Sequence, residues 1–209
     1  LYEIVKAINS KKYPDIIYTD EDKVTMDGRR YFDPHFKSDF NLDLLRSNNY
    51  ICHIFVVAKK IVDQIGEFRS EYDGAQDYDF ILRCCEKANY IHHIPKILYH
   101  WRSHPGSTAG NPASKMYAYE NGKKAVAAHY QRVGIDAEVT MTPYWGRYRS
   151  VLTVKGEPKV SIIIPNKDHV KDLDRCLTSI YTKSTYKNYE VIVVENNSTE
   201  KETFAYYEQ

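Results

Sequence analysis

Apolar positions along the chain fall into short runs with two different periods, and those runs define the elements. Leu1, Ile4, Val5 and Ile8 recur at helical spacing, which predicts the end of an amphipathic helix over residues 1 to 10, stopped by Pro14. Asp15 to Thr19 reads as a short buried strand. Val24 to Tyr31 reads as a hairpin turning at Asp27-Gly28, a dipeptide that tolerates positive φ. Residues 32 to 50 show little periodicity apart from a helical turn near Leu42 to Leu45. Ile54 to Ala58 is a continuous apolar strand, and Lys59 to Ile65 a short helix that Gly66 terminates. Phe80, Ile81, Cys84 and Cys85 form the apolar stripe of a helix reaching about Ala88. Tyr90 to Ile94, closed by Pro95, and Ile97 to Arg102 are two further extended pieces.

From Asn111 the pattern changes. Pro112 suits a first helical position, and Ala118, Gly122, Ala125, Val126, His129, Tyr130 and Val133 make one stripe of a long helix ended by Gly134. Two modest strands, Ala137 to Met141 and Tyr148 to Val154, precede a Gly156-Glu157-Pro158 linker. Val160 to Pro165 then predicts a fully buried strand. Leu173, Cys176, Leu177 and Ile180 predict an amphipathic helix, and Tyr189 to Val194 a second buried strand. This β-α-β order signals a parallel sheet. The expected organisation is α/β in three segments, 1–110, 111–158 and 159–209. An opening at Leu1 and a stop soon after Thr199 add the expectation that the chain is a piece of a longer protein.

Composition narrows the function classes. Lys plus Arg is 29 against 28 Asp plus Glu, and a net charge of +1 argues against general nucleic-acid binding. The four cysteines have no metal-ligand spacing and read as reduced thiols of a cytoplasmic protein. No apolar run is long enough to span a bilayer, and no signal peptide is evident.

Three polar clusters carry candidate chemistry. Asp20, Glu21 and Asp22 follow the first strand and would repel one another unless a cation or a ring of donors sits between them. At a strand exit such acids suit a hard divalent ion, or else a solvated turn. Asp77 and Asp79 stand in the first turn of a helix, where free amides favour carboxylates. His100-Trp101-Arg102-Ser103-His104 closes an extended piece with imidazoles and a guanidinium.

Tyr18-Thr19-Asp20-Glu21-Asp22, Gly74-Ala75-Gln76-Asp77-Tyr78-Asp79 and Tyr99-His100-Trp101-Arg102-Ser103-His104 together resemble the second half of a family 2 glycosyltransferase with a GT-A fold. Val160 to Asp168 and Tyr189 to Ser198 resemble the opening of another such domain. The helix with Arg132-Val133-Gly134-Ile135 resembles the spacer of tandem polysaccharide-synthesising enzymes. The resemblance implies a GT-A-like, Rossmann-related mixed sheet with helices on both faces, incomplete or rearranged in a fragment. It implies metal-dependent, inverting sugar transfer from a nucleotide-diphosphate donor to a glycan or lipid-linked glycan acceptor of the cell surface, with Mn²⁺ or Mg²⁺ as cofactor.

On that resemblance, Asp20 and Asp22 are the metal-side acids, Asp22 the direct ligand, and Asp77 is the base that takes the acceptor proton. Asp79, about 200° further round the helix, is a structural helper. His100 and His104 are candidates for a further metal ligand or a diphosphate contact, with His104 placed among the metal residues, and Arg102 for phosphate oxygens. Pro165, Asn166 and Asp168 lie where doubly wound sheets bind nucleotides. Glu195 stands in place of the aspartate that reads the base or ribose. A cation at Asp22 is expected to face Asp77 across one concave site. Strands near Ile163 and Val193 are expected to pair beside Ile17, within the chain or in a strand-swapped homodimer. Cytoplasmic donors and a lipid-linked acceptor imply a protein at the inner face of the membrane. The competing readings are a non-catalytic nucleotide- or glycan-binding module, an inert fragment that associates through exposed strands, and a metal-dependent phosphohydrolase.

Overall fold

A computed structural model describes residues 1–10, 12–103 and 116–208. The expected Pro112 helix start and His104 lie outside the described residues. The chain divides into two compact units, Leu1–Thr153 and Val154–Gln209.

The first unit is built around β1 (Ile16–Val24), whose Ile16, Ile17 and Tyr18 are almost wholly buried. β4 (Ile91–Arg102) pairs with it in parallel along its full length. On the other edge, β3 (Phe55–Val57) runs antiparallel to residues 16–18, and β2 (Tyr31–His35) antiparallel to residues 21–24. The turn between β1 and β2 falls at the expected Asp27-Gly28, with Gly28 at φ +73° and its N–H donating to the Thr25 carbonyl. Helices α1 (Tyr2–Ile8), α2 (Leu42–Ser47), α3 (Lys59–Ile65), α4 (Gln76–Cys85) and α5 (Met116–Arg132) surround the sheet. The main core joins Tyr18 of β1 with Leu45, Ile51, Ile81, Leu82, Val126 and Tyr148. A hairpin of β5 (Ala137–Met141) and β6 (Tyr148–Leu152) completes the unit.

The second unit places β7 (Val160–Asn166) parallel to β8 (Tyr189–Glu195) through α6 (Val170–Lys183), and ends in α7 (Lys201–Tyr207). The result is the mixed α/β architecture that the apolar pattern predicts, consistent with a GT-A-like fold.

Four local expectations are corrected. β1 does not end at Thr19. It continues through Asp20, Glu21 and Asp22 because β4 supplies pairing partners as far as Arg102. Pro95 does not divide β4, since the register jumps from Ile94 to Ile97 and leaves Pro95 and Lys96 exposed in a bulge, where no ladder N–H is needed. β7 is not fully buried: Ser161, Ile163 and Pro165 face outward while Ile162 and Ile164 are half covered. Among the described residues the expected pairing of residues near Ile163 and Val193 beside Ile17 is not formed within the chain. β3 and β2 hold one edge of β1 and β4 holds the other, while β7 and β8 pair in a sheet of their own.

Candidate active site

The three acids of β1 are buried within the strand, and each is answered by different groups. Asp20 Oδ1 accepts from the Lys37 amide at 2.9 Å and lies 2.8 Å from His93 Nε2. Its imidazole partner is itself stacked on the Tyr18 ring, centroids 4.8 Å apart. Glu21 accepts from the His53 amide at 3.2 Å, with His35 Nδ1 and Lys37 Nζ each 3.5 Å from its carboxyl oxygens. Burial pulls the Glu21 carboxyl upward. The His35 contact and the Lys37 charge outweigh it and hold Glu21 below the usual carboxylate range. Asp22 Oδ1 sits 2.5 Å from His100 Nδ1, its cross-strand neighbour on β4. The mutual repulsion foreseen for the triplet is thus relieved by one lysine and several histidines from remote parts of the chain.

Lys37 ties the region together. Its side chain is fully buried and donates to the Ile51 and His53 carbonyls at 2.5 and 2.6 Å. Desolvation pushes its ammonium below the ordinary lysine range, and Glu21 pulls part of the way back. The segment it pins, residues 48–53, leads from α2 to β3 and carries Asn49. Tyr50 fixes the same segment, because its hydroxyl accepts from the amide of Asn41, the N-cap of α2.

Asp77 enters from the first turn of α4. Its Oδ2 accepts from Asn49 Nδ2 at 3.1 Å and its Oδ1 from the Tyr78 amide at 2.8 Å. Asp77 lines a cavity of about 390 Å³ with Asn49, Cys52, His53, Trp101, Tyr119 and Tyr148. Burial pushes the Cys52 thiol up to about 12, so it stays protonated at physiological pH. The aromatic wall is held by close packing. Tyr148 donates to the Tyr119 carbonyl at 3.0 Å, and its ring fits against α5 because Gly122 has no side chain there. Tyr119 in turn stacks on Trp145, centroids 5.4 Å apart.

Asp79 points elsewhere. It is wholly buried, pairs with Arg83 at 2.8 Å, and has Arg132 3.8 Å from its other oxygen. Arg83 also donates to the Ile65 and Glu67 carbonyls, so the pair joins α4 to the end of α3.

Asp22 and Asp77 line different cavities, which adjoin at Trp101. Asp22 lines a second cavity of about 290 Å³ with Glu21, Asp33, His35 and Trp101. Trp101 belongs to both cavities, and its indole meets the His53 ring edge-on at 5.4 Å. Trp101 is therefore common to the walls beside both acids. Arg102 lies beyond it and donates to the Met26 and Thr25 carbonyls, which secures the β1–β2 turn.

A divalent cation can be tested against this donor set. Among the described residues no three His, Cys, Asp or Glu side chains converge on one point. Asp20 is committed to His93 and the Lys37 amide, whereas Asp22 and His100 form a contacting carboxylate–imidazole pair with His100 half exposed. That pair suits a hard or borderline ion in ligand type and in access, and it would need further oxygen ligands from water or a phosphate.

In the second unit, Pro165 and Asn166 end β7 opposite Val194 and Glu195. Asn166 donates to the Tyr207 hydroxyl at 2.7 Å. Asp168, at φ +53°, accepts from the Thr199 and Glu200 amides, both at 2.9 Å, at the start of α7. Glu195 accepts from the Ser198 amide and hydroxyl and from the Tyr207 hydroxyl. These hydrogen bonds hold both carboxyls below their usual range, the Glu200 amide dominating for Asp168 and the Ser198 amide for Glu195. The four expected nucleotide residues are thus brought together at the end of the β7–β8 sheet, in one network that organises the loop before α7. Sequence reasoning missed the anchors His93, His35 and His53. Of the signals for them, only the parallel pairing of β1 with β4 places His93, and that pairing is not written locally.

Comparison with known proteins finds similar sequences. Residues 161–206 match the model of Glycosyl transferase family 2. The chain is 43% identical over 209 residues to the uncharacterized protein y4gI of Sinorhizobium fredii (strain NBRC 101917 / NGR234), covering 99% of this chain and 23% of that protein. It is 40% identical over 209 residues to the O-antigen biosynthesis protein RfbC of Myxococcus xanthus, covering 100% of this chain and 16% of that protein. The chain therefore spans less than a quarter of the length of either relative. Among the described residues no helix is long and apolar enough to cross a membrane.

Proposed function

We propose that the protein is a metal-dependent, inverting glycosyltransferase that moves a sugar from a nucleotide-diphosphate donor to a glycan or lipid-linked glycan during cell-surface polysaccharide synthesis, at the cytoplasmic face of the membrane. The family match at residues 161–206 and the likeness to an O-antigen biosynthesis protein support the reaction class. The observation that carries the mechanism is the Asp77 carboxylate, held by two amides at the wall of a cavity rich in aromatic and polar groups.

In this reading Asp77 accepts the proton of the acceptor hydroxyl as that oxygen bonds to the anomeric carbon and the bond to the diphosphate oxygen breaks. Trp101, Tyr119 and Tyr148 present ring faces and edges to the acceptor sugar and limit its access to water. Asp22 and His100 would hold Mn²⁺ or Mg²⁺, which when bound neutralises negative charge on the departing diphosphate. Asp20 is the strut beneath them. The network of Pro165, Asn166, Asp168 and Glu195 belongs to a nucleotide-binding end of the second unit's sheet.

The test is Asp77→Asn, which keeps the shape and removes the base. Transfer of labelled sugar from a panel of nucleotide-diphosphate donors to membrane-extracted glycan acceptors should fall by roughly 10²–10⁴-fold, with the melting temperature unchanged. Full activity in Asp77→Asn removes the base from this account. Release of free phosphate without transfer would favour a phosphohydrolase.

A further inference from the structure

We infer that Asn49 is a positioning residue for Asp77, fixing the direction of its carboxylate; this rests on the reading of Asp77 as the base. The carboxamide has a defined orientation. Asn49 Oδ1 accepts from the Cys52 amide at 3.3 Å, which leaves the Nδ2 hydrogens facing Asp77 Oδ2 at 3.1 Å. The opposite flip would set two donors against each other at Cys52 and two acceptors against each other at Asp77.

Asn49 is also on an immobilised support. Tyr50 and Ile51 beside it are buried, Lys37 donates to the Ile51 and His53 carbonyls, and the Tyr50 hydroxyl accepts from the Asn41 amide. A rigid loop thus delivers one donor to one oxygen of a carboxylate whose other oxygen is taken by the Tyr78 amide. Each oxygen keeps a second lone pair, so the carboxylate can still receive a proton from the cavity while its rotation is blocked.

Loss of the Asn49 amide should leave Oδ2 unheld and let the carboxylate turn about its side-chain torsions. Among the described residues no other side chain hydrogen-bonds to Asp77. Cys52 and His53 come from the same loop, Trp101 from β4, Tyr119 from α5 and Tyr148 from β6, with the Glu21–Lys37 pair behind Cys52. The Tyr148 hydroxyl already donates to the Tyr119 carbonyl.

The experiment is NMR of the Asp77 side chain in the purified protein at neutral pH, using three-bond couplings that report its χ1 torsion, wild type against Asn49→Ala and Asn49→Ser. Asn49→Ala should replace the single rotamer of wild type by averaged couplings, and Asn49→Ser, which retains a donor, should fall between the two. Wild-type couplings in Asn49→Ala overturn the inference. If Asn49→Ala does not fold, the near-isosteric Asn49→Asp, which lacks the donor, decides, and wild-type couplings there overturn it equally. This outcome is separable from failure of the base assignment, which shows as sugar transfer surviving in Asp77→Asn whatever the couplings give.

Discussion

The first unit neutralises its acids in the interior, while the second ties its acids to backbone amides at the surface. Asp20, Glu21 and Asp22 lie buried against His93, His35, Lys37 and His100, and Asp79 is sealed beside Arg83. Asp168 and Glu195 lie near solvent and accept mostly from amides and hydroxyls within the turn before α7. The cores differ in the same sense. The first unit contains three clusters of buried apolar side chains, whereas in the second only Leu173 and Thr203 are buried among the described residues. A buried charge must have its counter-charge or cost several kcal/mol, so the first unit's ion pairs are structural commitments. A solvated carboxylate on an amide turn shapes a few residues and little else.

The largest effect should come from breaking a buried pair. Arg83→Ala leaves the buried Asp79 with only Arg132, 3.8 Å from its other oxygen, as counter-charge and removes two bonds to the Ile65 and Glu67 carbonyls. Denaturant unfolding should show a loss of about 3–5 kcal/mol. Because Asp79 faces away from the cavity, replacing both partners by apolar side chains of similar volume, Asp79→Leu together with Arg83→Met, should recover much of that loss. A double variant no better than Arg83→Ala would show that the pair is not what the site requires.

Next comes the aromatic wall. A methyl group at Gly122 would collide with the Tyr148 hydroxyl, so Gly122→Ala must displace that ring and its bond to the Tyr119 carbonyl. The expected cost is about 1–3 kcal/mol by the same measurement. Tyr148→Phe in the Gly122→Ala background relieves the contact and should restore part of the stability. If it does not, the α5–β6 packing is held by something other than this fit.

A smaller effect appears in pH. Burial raises Glu86, but the His129 hydrogen bond and Arg132 together bring it below its ordinary range, as His35 and Lys37 do for Glu21. A depressed folded-state pKa stabilises above the unfolded value near 4.5 and is lost as pH falls through the folded value. Unfolding free energy should therefore be level from these groups above about pH 5. It should decline below about 4.5, by up to about 1.4 kcal/mol per pH unit for each proton taken up. Glu86→Gln should flatten that acid limb, and an unaltered limb would remove Glu86 from the account.

Much of the fold was legible because local pattern and final structure agree. The stripe of Phe80, Ile81, Cys84 and Cys85 predicts α4, Asp27-Gly28 predicts the β1–β2 turn, and the apolar runs at 160–165 and 189–194 predict the parallel β7–β8 pair. The candidate site was legible in its acids and in His100, but not in most of their other partners. His93 reaches Asp20 across 73 residues, and Asn49 reaches Asp77 across 28. Such contacts are set by sheet pairing and loop closure, which no local spacing encodes. The same reason extends β1 through an acidic triplet that, read alone, ends a strand. The place of Trp101 in the walls of two cavities depends on a register with Lys23 that only the paired strands reveal.

The smallest effect is expected in the second unit. Asp168→Ala removes the acceptor of the Thr199 and Glu200 amides just ahead of α7, a helix of one to two turns whose own Thr203 is buried. Those amides face solvent-accessible surroundings, so water can replace the carboxylate and the global unfolding midpoint should hardly move. The local consequence should still be measurable as faster hydrogen exchange across residues 199–207, with exchange in β1 and β4 unchanged. If Asp168→Ala instead lowers the unfolding midpoint as far as Arg83→Ala does, the contrast between interior pairing and surface capping fails, and Asp168 must be counted among the residues that hold the fold. If exchange is unchanged throughout, the capping contacts do not order α7, and the geometry that gathers Asn166, Asp168 and Glu195 at the sheet end must be sustained by the β7–β8 pairing alone.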